Sequence, residues 1–486
     1  RTTRTGAKFS AYYGVHNPDF DLDKLYAKAL ASREQDEEEI EPADADDAFD
    51  QALQDAASAT SSPLSSLPSS RAPSPAPPAE PPTAPTPSCA SKRKRSPTNA
   101  KTPKPTVGGA AQAKKRRSRT NRAKKAKRAD EWAAPQTMRT VDARHLQQAK
   151  EEEVDVDLLE DMPVTSTAFT AKRGDGETKT YTRNQLIGKY GMKYCDWDGV
   201  TPTGIVSPDG RTFAVLAGKP QDPDWDHVAE DLAENIAVAA EHITFPAAAT
   251  DHRRGKFGAQ AQGVSHGGGQ TEPANLKHTK GLDAVLTYLV ALPAMIRVAH
   301  FASATFACWA PRLFAYYAQC MLQLFTFEPT LQRNFPRSIW ACLTINFGPR
   351  TVTYRHRDFG NLPFGWCAIT ALGKFNPDRG GELVLWECGL IVRFPPGSTV
   401  LIPSAIIHHS NTNIAHNETR YSVTQYTSGA LFRWVEHGCM LDEKYYASLS
   451  ETETRAAEKA NQERWAKGVD MWSTMEELKA RASEVL

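Results

Sequence analysis

The chain has 486 residues, with 58 Lys and Arg against 57 Asp and Glu, so its formal charge of +1 points to no class of partner. That length allows one large domain with a tail, or two to three domains. Hydrophobic content of 40% and mean hydropathy of −0.51 are low for a chain folded from end to end, and eight cysteines without a C-x-x-C pair exclude a zinc ribbon, a thioredoxin-like site and a secreted disulfide scaffold.

The first third is compositionally segregated. Ten carboxylates fall within 34–50 and ten prolines within 61–88, and neither tract can bury enough apolar area to offset its ordering entropy. From Lys92 to Arg128 there are sixteen Lys and Arg and no acid. We read 1–130 as a disordered acidic, Pro-rich and basic tail and 131–175 as a linker with a short helix near 141–153. A folded domain over 176–440 and a helical tail over 441–486 complete the organisation. The basic clusters 92–95, 114–117 and 122–128 have the spacing of a bipartite nuclear import signal and could also neutralise phosphates. The opening Arg1-Thr2-Thr3-Arg4 has no apolar run, and the most apolar stretch, near 285–296, is too short to span a bilayer. A soluble, nuclear protein in a reducing compartment is expected.

Within the domain, 226–243 and 282–325 carry apolar residues at helical spacing, and Pro293 and Pro311 break the second stretch. The loop 263–270, with Gly267-Gly268-Gly269, could approach a backbone closely or be a bare turn. His252, His266 and His278 around it read as solvent or loop histidines. Trp366 and Trp386 read as packing residues. After Arg337 the texture becomes short β-rich runs between Pro/Gly turns: 338–347, 351–357, 366–372, 381–386, 390–394, 398–402, 405–409 and 420–427. Eight such runs predict a β-sandwich or jelly roll with helices outside it, an α+β fold. The last forty-odd residues, with Trp465 and Trp472, read as helices able to dock on that body.

The chemistry lies in the β-rich part. His356 and Asp358 are two apart on an extended segment, so an imidazole and a carboxylate face one point. His408-His409 follows after a further strand. Two His and one carboxylate leave three metal positions open, the arrangement that non-haem Fe(II) oxygenases use for a bidentate oxo-acid and O2. Arg420 and Ser422, again two apart, suit the far carboxylate of 2-oxoglutarate. The alternative for Arg420 is a structural pair with a neighbouring acid such as Glu418.

Across 334–438, the motifs Asn346-Phe347-Gly348-Pro349, His356-Arg357-Asp358, Gly380-Gly381-Glu382-Leu383, Phe394-Pro395-Pro396-Gly397-Ser398, His409-Ser410-Asn411 and Arg420-Tyr421-Ser422 resemble the Fe(II)/2-oxoglutarate dioxygenases. More narrowly, they resemble the fungal TET/JBP-like nucleobase oxygenases. The resemblance implies a double-stranded β-helix core, Fe(II) held by His356, Asp358 and one of the paired histidines, and 2-oxoglutarate salt-bridged to Arg420. The motif His-Ser-Asn favours His409, whereas strand alternation leaves His408 and His409 open. Asn346 sits where relatives place an amide on the metal-proximal end of 2-oxoglutarate, or else is a turn former before Gly348-Pro349. The implied reaction oxidises a methylated base in DNA with O2, 2-oxoglutarate leaving as succinate and CO2. A protein or small-molecule hydroxylase, or an inactive DNA-associated protein, are the other readings of the same residues.

Overall fold

A computed structural model describes residues 138–174, 176–245 and 249–486. The tail expected to be disordered over 1–130, with its basic clusters, lies outside the described residues.

The described residues begin with α1 (Thr140–Gln147), β1 (Lys150–Glu153), α2 (Arg183–Tyr190), β2 (Lys193–Cys195), β3 (Thr203–Val206) and β4 (Thr212–Gly218). Helix α3 (Trp225–Glu241), strands β5 (Gly258–Ser265) and β6 (Ala274–Asn275), and helices α4 (Lys280–Ala291), α5 (Pro293–Trp309) and α6 (Pro311–Phe327) follow. Seven strands come next: β7 (Cys342–Gly348), β8 (Cys367–Leu372), β9 (Leu383–Leu385), β10 (Leu390–Val392), β11 (Thr399–Ile402), β12 (His409–Asn411) and β13 (Tyr421–Tyr426). The chain closes with α7 (Gly429–Glu436), α8 (Asp442–Ser448), α9 (Glu451–Val469) and α10 (Met475–Ser483).

The fold is mixed α+β, built on two sheets. A nine-stranded sheet has the order β1-β3-β4-β11-β8-β13-β7-β5-β6, antiparallel except for β1 beside β3. A four-stranded sheet has the order β12-β9-β10-β2. Alternation along β7 decides which side faces which layer. Leu343, Ile345 and Phe347 point one way and share a buried cluster with Leu232, Ile236, Leu286 and Met295 of α3, α4 and α5. Truncating Ile345 to Ala there would cost roughly 2–5 kcal/mol. Cys342, Thr344 and Asn346 point the other way, opposite Tyr426, Thr424 and Ser422 of β13 in register. The polar face of this strand pair is the wall on which a site can be built.

Prolines set the helix boundaries as expected. Pro293 and Pro311 stand at the first helical positions of α5 and α6, where a missing N–H loses no bond. The helical end of the chain packs on the first of the described residues: Gln147 Nε2 donates to Ser483 Oγ at 2.8 Å, and the Trp465 indole donates to the Leu158 carbonyl at 3.1 Å. Trp472 is fully buried. Within the stretch read as a linker, α1 stops at Gln147 and β1 joins the edge of the large sheet.

Three expectations are corrected. Strands also occur upstream of Arg337, and β4, with all seven residues buried, pairs directly with β11. Residues 351–357 form only isolated bridges rather than a strand. The run 405–409 is not a strand: a turn occupies 404–406, where the amides of Ile406 and Ile407 both return to the Pro403 carbonyl at 3.1 Å, so β12 starts only at His409. Among the described residues all seven cysteines are free, and no single helix is long and apolar enough to cross a membrane.

Candidate metal centre

His356 and His409 face each other across a backbone pair. The His356 amide donates to the His409 carbonyl at 3.1 Å and the His409 amide to the His356 carbonyl at 2.9 Å. Such a pair puts both side chains on one face, and the ring centroids lie 4.2 Å apart. Each ring is oriented by a carbonyl two residues earlier: His356 Nδ1 lies 2.8 Å from the Tyr354 oxygen and His409 Nδ1 3.1 Å from the Ile407 oxygen. A carbonyl can only accept, so Nδ1 carries the proton in both rings and Nε2 keeps its lone pair.

Asp358 meets those two nitrogens. Its Oδ1 is 3.9 Å from His356 Nε2 and its Oδ2 is 3.7 Å from His409 Nε2. Donor atoms from the three side chains lie within 4.8 Å of one another, and no other such group of His, Cys, Asp or Glu occurs among the described residues. Burial alone would raise the Asp358 carboxyl, but His356, His409, Arg254 and Arg253 together outweigh it and hold it down at about 2. Burial, then the neighbouring His409, keeps His356 well below the usual histidine range, and burial likewise lowers His409. At neutral pH the group therefore offers two imidazole lone pairs and one carboxylate, a donor set that fits a divalent metal.

The adjacent histidine is turned elsewhere. His408 Nδ1 lies 2.6 Å from Glu387 Oε1, and the His408 amide donates to Glu387 Oε2, also at 2.6 Å. The alternative that strand alternation left open is thus separated by geometry, with His409 in the donor group and His408 outside it.

Arg420 is 1% exposed. Its Nη1 donates to the Thr351 carbonyl at 2.9 Å, and the rings of Phe375 and Phe394 lie 5.8 Å away on either count. Its Nε is buried without a hydrogen-bond partner, and burial alone, with no charged neighbour, lowers its pKa to about 10. Glu418 is not its partner, since that carboxylate accepts the amides of Asn376 and Ala415 at 2.8 Å each. A buried guanidinium lacking an anion is costly unless a ligand supplies one. Ser422 Oγ accepts from Asn346 Nδ2 at 2.9 Å across the β7–β13 register. Asn346 lies inside β7 rather than in the turn that follows it.

A cavity adjoins Asp358. Its lining includes Arg253, Arg254, Asn361, Thr424, Tyr426 and Ser428. The Arg253 guanidinium reaches the Arg357 carbonyl at 3.0 Å and comes within 3.8 Å of Asp358 Oδ1. Arg253, Arg254 and Glu387 carry no local sequence signal, because each meets its partner only through the fold.

The remaining candidates fall outside the group. His252 Nε2 lies 3.1 Å from the Phe257 carbonyl. His266 is buried against Trp434, with ring centroids 5.0 Å apart, rather than facing solvent. Gly263 belongs to β5, where a Cβ would fall 2.2 Å from the Ala341 oxygen. The Trp366 indole donates to the Phe213 carbonyl at 2.6 Å and that of Trp386 to Ser410 Oγ at 3.0 Å, both in packing roles.

No protein-family model matches the chain. No curated protein matches it either. Among solved structures it is similar to NgTET1 in complex with 5mC DNA, at 14% identity and a TM-score of 0.33, over 56% of this chain and 89% of that one.

Proposed function

We propose that this protein is an Fe(II)/2-oxoglutarate-dependent dioxygenase that oxidises a methylated base in DNA. The observation that carries the reading is Arg420, a buried guanidinium with no carboxylate partner among the described residues, tied through Thr351 to the segment that also bears His356 and Asp358. A two-His, one-carboxylate group with an anion hook is what a metal-chelating dicarboxylate co-substrate requires.

The strand order supports a double-stranded β-helix. β7, β13, β8 and β11 are neighbours in one sheet, and the His356 bridge, β12, β9 and β10 follow in the other. This is the interleaving produced when successive strands cross between two sheets, with β9 and β10 the hairpin that stays in one.

In this reading His356, Asp358 and His409 would hold Fe(II), which with 2-oxoglutarate and O2 would supply the oxidation of a substrate C–H bond, with succinate and CO2 as co-products. Arg420 holds the far carboxylate of the co-substrate, and Ser422 adds a hydroxyl that Asn346 orients. The Nδ1 bonds of both histidines keep the ligand tautomer fixed without moving a proton. Phe375 and Phe394 exclude water from the guanidinium, which strengthens its attraction for a carboxylate.

The DNA part of the reading rests on the resemblance of 334–438 to nucleobase oxygenases and on the basic clusters of 92–128, which would also direct the protein to the nucleus. The test incubates the full chain with Fe(II), 2-oxoglutarate and a panel of oligonucleotides carrying 5-methylcytosine or N-methylated bases, beside a peptide panel. Mass spectrometry should detect an oxidised base with matching succinate. Oxidation of a peptide alone would make it a protein hydroxylase, and no succinate under any condition would remove the dioxygenase reading.

A further inference from the structure

Three aromatic rings lead away from the candidate metal centre. Trp386 follows β9, and its indole N–H donates to Ser410 Oγ at 3.0 Å while the Arg355 guanidinium lies over its ring at 4.6 Å. Ser410 adjoins His409 and Arg355 adjoins His356, so this one indole touches a chain neighbour of two of the three metal donors. Alternation along β12 puts Ser410 on the side opposite His409, which places Trp386 behind the donor group rather than inside it. Tyr181 and Tyr190 each meet Trp386 edge-on with ring centroids 5.3 Å apart, and they meet each other at 5.6 Å. Tyr181 is buried and Tyr190 is 39% exposed, so the trio runs from the ligand-bearing segments to solvent. Their hydroxyls also form a chain, Tyr190 donating to Tyr181 at 3.1 Å and Tyr181 donating to Glu177. Packing accounts for the rings, but not for a line of hydroxyls that ends on a carboxylate.

We infer that Trp386, Tyr181 and Tyr190 form an electron relay that quenches the oxidant generated at the metal from O2 when no substrate C–H bond is in reach. The inference takes that oxidant from the dioxygenase reading, whereas electron transfer along the rings does not depend on it. Trp386 gives one electron to the oxidant and regains it from Tyr181, whose O–H bond breaks as the proton passes to Glu177. Tyr190 then hands its hydrogen atom to the Tyr181 oxygen, and an uncharged radical is left on the exposed ring. A thiol or ascorbate in solution supplies the hydrogen atom that restores Tyr190, and Glu177 releases its proton. Two passages with two protons turn the activated oxygen atom into water. Cations favour this route: Arg355 over Trp386, Lys179 over Tyr181 at 5.2 Å and Lys189 over Tyr190 at 5.0 Å all oppose a positive hole on the rings. The positive charge therefore leaves as the Tyr181 proton, for which Glu177 is the acceptor in place.

The test has two arms on the full chain. In the first, pulse radiolysis of the metal-free protein with the azide radical removes electrons from tryptophan. Indolyl absorption should decay as phenoxyl absorption grows, and the fastest phase should be lost in Trp386→Phe and in Tyr181→Phe/Tyr190→Phe, the latter keeping both rings in place. Glu177→Gln, which cannot take the proton, should slow that phase. In the second, the protein is exposed to Fe(II), 2-oxoglutarate and O2 without substrate. The unaltered chain should show a tyrosyl radical by electron paramagnetic resonance. Tyr181→Phe/Tyr190→Phe should lose that signal, inactivate sooner and carry oxidised Trp386 in its peptide map, while its initial turnover with substrate is unchanged. A fastest phase that persists in both ring variants would overturn the relay. Equal rates of inactivation in the unaltered chain and the double variant would overturn its protective role. No succinate under any condition would remove the oxidant and with it that role, whereas loss of the fastest phase in the metal-free variants would still establish the relay, so the two failures read differently.

Discussion

Glu387 grips His408 twice, taking the ring Nδ1–H on one carboxylate oxygen and the backbone N–H on the other, each at 2.6 Å. Because His408 immediately precedes His409, this double contact fixes where β12 begins and so where the His409 ring stands. Glu387→Ala should weaken binding of a divalent metal, but by less than the ~10–100-fold cost of losing a ligand's direct partner, because Glu387 acts on His409 only through His408. Glu387→Gln, which keeps one acceptor, should fall between. Calorimetric titration with Co(II) checks this, and an unchanged affinity for Glu387→Ala would show that Glu387 does not position the ligand.

Gly174 packs against the same histidine. A Cβ at that position would lie 2.3 Å from His408 Nε2 and 2.7 Å from Arg357 Nη2. Arg357 can swing aside, but His408 is held by Glu387 and cannot. Gly174→Ala should therefore destabilise the metal-free protein by roughly 1–3 kcal/mol, as overpacking does. Chemical denaturation of Gly174→Ala in the Glu387→Ala background should recover part of that loss; no recovery would mean that the clash lies elsewhere.

Arg420 makes a prediction of opposite signs. Replacing a buried, unpaired charge by a shape-compatible apolar residue is often neutral or stabilising. Arg420→Met should leave the melting temperature of the ligand-free protein unchanged or raised, while abolishing the further rise that 2-oxoglutarate produces by binding the native state. Differential scanning calorimetry with and without 2-oxoglutarate reads both effects. A variant that is strongly destabilised yet still responds to 2-oxoglutarate would mean that the guanidinium is structural.

His266 supplies a pH dependence away from the metal group. Burial, reinforced by the positive charge of Arg433, lowers its pKa to about 4 from the ordinary 6.5. The folded value is the lower one, so the unfolded chain takes up the proton first. Stability contributed by the neutral ring is complete above pH 6.5 and is lost as pH falls from about 6.5 towards 4. The loss is on the order of 3 kcal/mol at ~1.4 kcal/mol per pH unit. His266→Gln should flatten the stability profile across that window, and denaturation curves at several pH values that stay parallel to those of the unaltered protein would contradict it.

Much of this architecture was legible because it obeys short-range rules. The two-residue alternation of Leu343, Thr344, Ile345 and Asn346 sorts β7 into a helix-facing and a site-facing side, and Pro293 and Pro311 mark helix starts. His356 and Asp358 declare themselves by spacing. What stayed hidden depends on partners far along the chain. Ile406 and Ile407 look like strand residues, yet their amides are captured by Pro403 and the segment becomes a turn. The choice between His408 and His409 is made by Glu387, about twenty residues away, and Arg253 reaches Asp358 across roughly a hundred. The isolation of Arg420 from Glu418 is likewise a fact of packing, since neighbours in sequence find different partners in space.

The most direct measurement is an anaerobic titration of the purified full chain with Fe(II) in the presence of 2-oxoglutarate, followed by the visible charge-transfer absorption that an iron-bound 2-oxo acid produces. The account predicts saturation at one iron per chain, and no such band for Asp358→Ala, because three donors within 4.8 Å of one another are all required. An unaltered protein that takes up no iron, or an Asp358→Ala variant that saturates as the unaltered protein does, would contradict it.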